Sequence, residues 1–299
     1  MRYRITHVTR YDYGATVSLC HSIAHLKPRE TPWQRPLSAQ VRVSPWPSVA
    51  REHRDLFGNR VNYFSIQQAH ARLEVTATSE VEVTAPEVPD VETSPPWEQL
   101  RDRLREDRHP AAIAARIFTL PSPALPASAA ATDYARVSFT PGRPVLEAAL
   151  DLTRRIYAEL TYDPTFTTIA TPLAAVLEHR RGVCQDFAHL AIAGLRGLGL
   201  PARYVSGYLE TLPPPGRPKL RGADASHAWF GLYLPPALAV GTAGDDWIDF
   251  DPTNDSLIGA QHITTAAGRD YQDVTPVRGV FYGGGEHTLK IAVDVDRVD

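Results

Sequence analysis

Between Leu73 and Val83 apolar and polar residues alternate. Leu73, Val75, Ala77, Val81 and Val83 fall on one parity, and Glu74, Thr76, Thr78, Glu80 and Glu82 on the other. Successive side chains of an extended chain point to opposite faces, so this period of two predicts a half-buried antiparallel strand. DLFGNRVNYFSI sets Gly58-Asn59 between apolar runs, which predicts a tight turn between two strands. The alternating start MRYRITHVTRYDYG fits the same β reading, which extends to about residue 85. Pro86, Pro89, Pro95 and Pro96 then interrupt an acidic stretch. Proline removes ladder donors and stiffens the chain, so a first domain of residues 1–95 is expected to end in this linker.

Beyond it the period lengthens. Residues 97–118 read as helix, PSPALPASAAATDYA breaks the pattern, and a second helix is expected over 144–160. Pro172 stands where a first helical turn tolerates it, and Leu173, Val176 and Leu177 recur at helical spacing up to about Arg180. RRGVCQDFAHLAIAGLRGLGLPARYVSGYL then reads as a glycine turn, an apolar helix over 184–198, a stop at Gly199 and a strand. HAWFGLYL, DDWIDFDPTN and HTLKIAVDVDRV predict further strands. The fold class is therefore α+β: an N-terminal antiparallel β domain (1–95), a helical, proline-rich connector (96–135), and a core (136–299) of helices on an antiparallel sheet that includes the C-terminal strands.

Composition narrows the function. A chain of 299 residues with 43% apolar and 22% charged positions has the make-up of a soluble globular protein. A net charge of −3 supplies no basic field for a phosphate backbone, so no nucleic-acid partner is expected. The polar N-terminus and the lack of any apolar run of about 18 residues lead to the expectation of a cytoplasmic protein without a membrane partner. Two cysteines, Cys20 and Cys184, are too few for a disulfide scaffold or a thiolate zinc site.

Cys184 opens the apolar helix, where unpaired backbone N–H groups and the positive dipole end favour a thiolate. His227 begins a strand, and its imidazole could take the thiol proton and return it to a leaving group. Asp251 closes the next strand; if the two pair antiparallel, it comes beside His227 and can fix the ring tautomer. Singly, each has a plain structural reading: a buried thiol, an ordinary histidine, an aspartate turning before proline. Together they define a thiol, an imidazole and a carboxylate. His189 competes as a base, but five residues beyond Cys184 it lies about 140° round the helix and is expected to face elsewhere. Cys20, His21 and His25 form a weak candidate metal nest, and the acidic group Asp245, Asp246, Asp249 and Asp251 reads as a solvated edge.

GVCQDFAHL, ASHAW and WIDFDPTN, in this order, resemble the bacterial members of the transglutaminase-like superfamily, a branch of the papain-like thiol enzymes. DLFGNR, ARYVSGYLET and GRDYQDVTPVRGV extend the resemblance over nearly the whole chain. It implies a bacterial transglutaminase-like N-terminal domain followed by a papain-like transglutaminase core, with Cys184, His227 and Asp251 as nucleophile, base and orienting acid. Two oxyanion donors are implied: the Cys184 backbone N–H and an aromatic side chain. Tyr162 is the positional candidate for the second, with Tyr204 and Tyr208 as alternatives. Trp229 would shield the site or pack the core, and Gln185 and Asp224 are candidate substrate contacts. The implied reaction is acyl transfer from a peptide or protein substrate through a Cys184 thioester, with hydrolysis favoured over glutamine cross-linking. The rival class is a non-catalytic peptide-binding scaffold. No cofactor and no metal are expected.

Overall fold

The computed structural model describes residues 1–87, 90–168, 171–211, 222, 224, 226–235, 238 and 246–298. Strand β1 (Arg2–Ala24) is the spine of the first sheet. It is joined by β2 (Gln34–Ser44), β3 (Val49–Arg54), β4 (Arg60–Ile66) and β5 (His70–Val83) in the order β2-β5-β1-β4-β3. The first half of β1 pairs with β5, whose register shifts between Asp12 and Val17, and β4 takes over from Cys20 to Ala24. The alternation in β5 holds: Leu73, Val75, Ala77, Val81 and Val83 are buried. The β3–β4 turn also forms as expected. Gly58 adopts φ 77°, and the Asp55 carboxylate accepts the backbone N–H groups of Phe57 and Asn59 at 2.9 and 2.8 Å.

The connector carries α1 (Trp97–Glu106), α2 (Pro110–Ala115), a 3-10 turn (Arg116–Thr119) and α3 (Ala129–Arg136). Helix α3 forms at the end of the segment expected to break the pattern. The proline signal stops at Pro126, and the Ser128 hydroxyl caps the helix by accepting the Ala131 N–H at 3.2 Å. Next come α4 (Val145–Glu159), β6 (Thr161–Tyr162), α5 (Leu173–His179), β7 (Arg181–Gly182) and α6 (Cys184–Gly197). Helix α6 is buried on almost every side within the largest apolar cluster. A Cβ on Gly194 would come within 2.7 Å of the Ala135 Cβ, so that glycine lets α3 pack directly on α6. Under the helix lies the core sheet: β8 (Ala202–Leu209), β9 (Ser226–Tyr233), β10 (Trp247–Asp251), β11 (Ser256–Leu257) and β12 (His262–Gly268). All its pairings are antiparallel, in the order β11-β10-β9-β8-β12.

After the short helix α7 (Tyr271–Val274), the last strands depart from expectation. β13 (Val277–Gly283) and β14 (His287–Arg297) both pair antiparallel with β1, from Ala24↔Val277 to Val17↔Gly283 and from Tyr3↔Arg297 to Tyr13↔His287. The C-terminal strands therefore belong to the first sheet rather than to the 136–299 core. Their alternation marks them as strands but says nothing of which edge they join.

Two side-chain amides fasten the first sheet to the free edge of β12. Gln34 donates to the Thr264 carbonyl and accepts its N–H, both at 2.8 Å, and Asn59 makes the same pair of 2.8 Å bonds with Ala267. Each amide copies the donor and acceptor that a neighbouring strand would offer, so this edge is covered rather than left open. DLFGNR is thus an interdomain clamp as well as a turn. Among the described residues no helix is long and apolar enough to cross a membrane.

Candidate active site

Cys184 is the first residue of α6. The Asp186 carboxylate closes that helical turn by accepting the Val183 N–H at 2.8 Å. Gly182 leaves room for this, since a Cβ there would meet the Asp186 Cβ at 2.8 Å and Oδ2 at 2.9 Å. Gly182→Ala is therefore expected to displace the cap, to cost about 1–2 kcal/mol in a denaturant melt and to slow alkylation of Cys184. An unchanged alkylation rate would show that the cap does not set the position of the sulfur. Burial pushes the Asp186 carboxyl up from its ordinary value.

The parallel pair β6–β7 sets Tyr162 opposite Gly182, two residues before the thiol. The Tyr162 side chain is half-exposed, and its ring meets Phe187 edge-on at 6.4 Å. Burial, and after it the charge of Cys184, raises the Tyr162 pKa, so the phenol stays protonated beside the sulfur.

Strands β9 and β10 run antiparallel from Trp247↔Tyr233 to Phe250↔Phe230. Continued by one step, that register sets Asp251 opposite Trp229 and diagonal to His227 on the same face. The side chains close the diagonal: His227 Nε2 lies 2.7 Å from Asp251 Oδ2. Cys184 acts on the same ring, as a cause of its raised pKa. Burial alone would lower the His227 pKa, but the hydrogen bonds and charges of Asp251 and Cys184 outweigh it and raise it from 6.5 to about 10.

Asp251 is fully buried and collects more donors than the sequence suggested. Oδ2 accepts from His227, from His262 Nε2 at 3.1 Å and from Asn254 Nδ2 at 2.6 Å, while Oδ1 accepts the Thr253 N–H at 2.9 Å. Burial works to raise this carboxyl, yet the bonds from His227 and His262, with the His227 charge and Asn254, hold it well below the usual carboxylate range. His262 Nδ1 accepts the Gly259 N–H at 3.1 Å, so its proton sits on Nε2 and points at Asp251. His262 is thus a neutral donor. One ligand atom each of His227, Asp251 and His262 lie within 4.8 Å of one another, a spacing a cation could use, but both imidazoles already meet the Asp251 Oδ2 in hydrogen bonds.

The remaining sequence candidates separate. Trp229 is fully buried, 5.9 Å from the His227 ring and 5.3 Å from His262, and donates to Asp249 at 3.2 Å; it backs both imidazoles. Gln185 lines a cleft next to Cys184. Asp224 lies outside the cluster. Its carboxylate accepts the Val295 N–H at 2.8 Å and the Thr211 hydroxyl, tying the approach to β9 onto β14. Tyr208 hydrogen-bonds His7 at 3.0 Å between the two sheets, away from the thiol. Tyr204 is buried, its ring 5.0 Å from His189 and 6.3 Å from Tyr271. His189 faces away from the thiol, as its spacing predicts, and accepts the Tyr271 N–H. Cys20 is buried, whereas its neighbour His21 bonds the Tyr63 hydroxyl and His25 the Thr275 carbonyl, so the three do not converge. Asp249 is not solvated as expected: it pairs with Arg203 at 3.0 Å and is buried. Asp245 lies outside the described residues.

A cysteine opening a buried helix, with an imidazole–carboxylate pair on the antiparallel sheet beneath that helix, is an arrangement that fits the transglutaminase-like class. Residues 3–82 match the bacterial transglutaminase-like N-terminal region, and residues 133–252 match the transglutaminase-like superfamily. The chain is 40% identical to an uncharacterized protein of Mycobacterium tuberculosis over 98% of its own length and 92% of the relative's. An uncharacterized protein of Mycobacterium leprae is 33% identical, with 99% of each chain covered. A crystal structure named as a candidate cysteine protease of Cytophaga hutchinsonii shares the fold at a TM-score of 0.73 and 23% identity, over 100% of this chain and 91% of that one. The chain belongs to the transglutaminase-like superfamily and carries the bacterial transglutaminase-like N-terminal region. Thiol-dependent acyl transfer is the general chemistry of that membership.

Proposed function

We propose that the protein is a cysteine peptidase or amidase in which Cys184 is the nucleophile, His227 the general base and acid, and Asp251 the residue that orients His227. One observation carries the reading: the buried His227 ring is bonded to Asp251 at 2.7 Å, and Cys184 acts together with that carboxylate to raise the His227 pKa. Cys184 gives its proton to His227, and the sulfur attacks the carbonyl carbon of a peptide or carboxamide. The C–S bond forms, the C–N bond breaks, and the amine leaves with the proton returned by His227. Water, activated by the same imidazole, then cleaves the thioester, releasing the acid and restoring the thiol. The Cys184 backbone N–H and the Tyr162 hydroxyl are the proposed donors to the developing oxyanion, each worth about 3–4 kcal/mol to the transition state.

Hydrolysis is preferred to cross-linking because the thiol is only partly buried and Tyr162 beside it is half-exposed, so water reaches the acyl-enzyme. Incubation with a peptide donor and a labelled primary amine tests this. Free acid is expected to appear faster than amine incorporation; the reverse order would make the protein a transamidase. A non-catalytic scaffold would show itself by sluggish and equal iodoacetamide labelling of Cys184 and Cys20 near neutral pH.

A further inference from the structure

A cleft of about 460 Å³ begins one residue beyond the nucleophile. Its floor is Gln185, Asp186 and His189 of α6, its end wall is Tyr271 and Gln272, and its sides are residues 123–128 and 171–174, mostly proline, alanine and leucine. Gln185 and His189 are four residues apart and share one helix face. The Tyr204 ring lies 5.0 Å from the His189 ring and 6.3 Å from that of Tyr271, and Gln185 joins the cleft floor to Cys184 along α6.

His189 is the informative residue. Its side chain is more than nine-tenths buried, and Nε2 accepts the Tyr271 N–H at 3.2 Å. A nitrogen that accepts a backbone N–H carries no proton, so the ring proton is on Nδ1. Burial, which holds the His189 pKa down at about 4, agrees with a neutral ring. Nδ1 makes no hydrogen bond to another described residue, so a buried side chain of the cleft floor presents one unused donor. Its neighbours decide what that donor suits. The Asp186 carboxylate is spent on the Val183 N–H, and Asp270 is spent on Ala124 and Gln272 at 3.0 and 2.8 Å. Arg196 also acts on the His189 ring, but its guanidinium is spent on the Phe118, Ala202 and Arg269 carbonyls and the Ser122 hydroxyl, so the Asp186 carboxylate in the floor and the Asp270 carboxylate behind the ring oppose an anion, and the N–H itself opposes a cation.

We propose that this cleft is the specificity subsite of the enzyme, and that it takes an uncharged substrate side chain bearing an acceptor oxygen, an amide or a hydroxyl, bound by His189 Nδ1–H. The stem of that side chain packs against the proline and alanine walls. The inference rests on Cys184 being the nucleophile, because only then does the cleft flank a scissile bond.

The test has an arm that needs catalysis and an arm that does not. With full-length protein and a fluorogenic peptide library varied at the positions flanking the scissile bond, Asn, Gln, Ser or Thr is expected to exceed Asp, Glu and Lys about tenfold in kcat/KM at one position. His189→Gln keeps an acceptor for the Tyr271 N–H but carries no donor at the position of Nδ1, its amide N–H groups lying farther along the side chain, and is expected to flatten that preference. His189→Asn, which keeps a donor near the place of Nδ1, is expected to retain part of it. A flat profile in the native protein, or a His189→Gln profile unchanged from native, overturns the proposal. In the second arm, 15N spectra of the histidine rings are recorded with acetamide and then with acetate. Acetamide is expected to shift His189 Nδ1 and acetate to leave it in place, whether or not any peptide is cleaved. An inert library with a shifted Nδ1 would count against the nucleophile reading and leave the cleft standing. An Nδ1 indifferent to acetamide would count against the cleft alone.

Discussion

Cys184→Ala is expected to lower acyl transfer on the order of 10⁵-fold, the loss that follows when a covalent route is removed and only binding and oxyanion donors remain. The same change is expected to move the thermal midpoint by no more than about 2 °C, because the thiol is partly exposed and its loss opens no cavity of consequence. Cys20→Ala supplies the contrast. Cys20 lies in β1 between β4 and β13, buried in the apolar cluster of the first sheet, and burial pushes its pKa up, so it stays an unreactive thiol. Its replacement should cost stability and spare the reaction. The measurement is acid release from a peptide amide by both variants, with alkylation of the surviving thiol followed by mass. Activity that survives Cys184→Ala, or that vanishes in a folded Cys20→Ala, would put the chemistry elsewhere in the molecule.

The parts of this arrangement that were legible in the sequence are those written in local pattern. The period of two in β5, the glycine before Cys184 and the apolar run of α6 each constrain a handful of adjacent residues, and each forms as read. Cys184, His227 and Asp251 could be nominated because each begins or ends such an element. What escaped depends on partners distant in the chain. β13 and β14 are recognisable strands, but that β1 receives them is set by its length and its unpaired edges. His262 approaches Asp251 only because the chain doubles back through β11, and nothing in QHITT distinguishes it from an ordinary strand-opening histidine. Asn254 closes the DPTN segment, where an aspartate-turn reading of Asp251 hides the second role of its neighbour. Gln34 and Asn59 look like loop polars until the exposed edge of β12 is seen to need them. These last residues also give the first sheet a role. By holding β12 they hold His262 at its opening, and so a share of the field around Asp251.

The largest expected effect on stability comes from that carboxylate. Asp251→Ala strips a fully buried anion from His227, His262, Asn254 and the Thr253 N–H, leaving three side-chain donors without an acceptor. Removing one member of a buried charged pair costs about 3–5 kcal/mol, which should lower the thermal midpoint on the order of 10 °C. The pH dependence supplies a signature that simple loss of packing would not. Asp251 is held below the ordinary carboxylate range in the folded state, so its contribution is present above that range and lost as pH falls beneath it. His227 is raised from 6.5 to about 10, so its contribution is full below 6.5 and fades as pH climbs towards 10. The native protein should therefore gain stability on leaving acid and lose some of it in alkali. In Asp251→Ala both slopes should shrink, because without the carboxylate burial becomes the main influence on His227 and favours its neutral form. Asp251→Asn separates orientation from packing: it keeps the volume, returns an amide hydrogen towards the imidazole, and should depress turnover about 10⁴-fold with a smaller loss of stability. Midpoints measured from about pH 2 to pH 10 for the three proteins decide the matter. Parallel curves for native and Asp251→Ala would mean that the buried carboxylate is not what holds His227 charged, and the proposed division of labour among the three residues would fail with it.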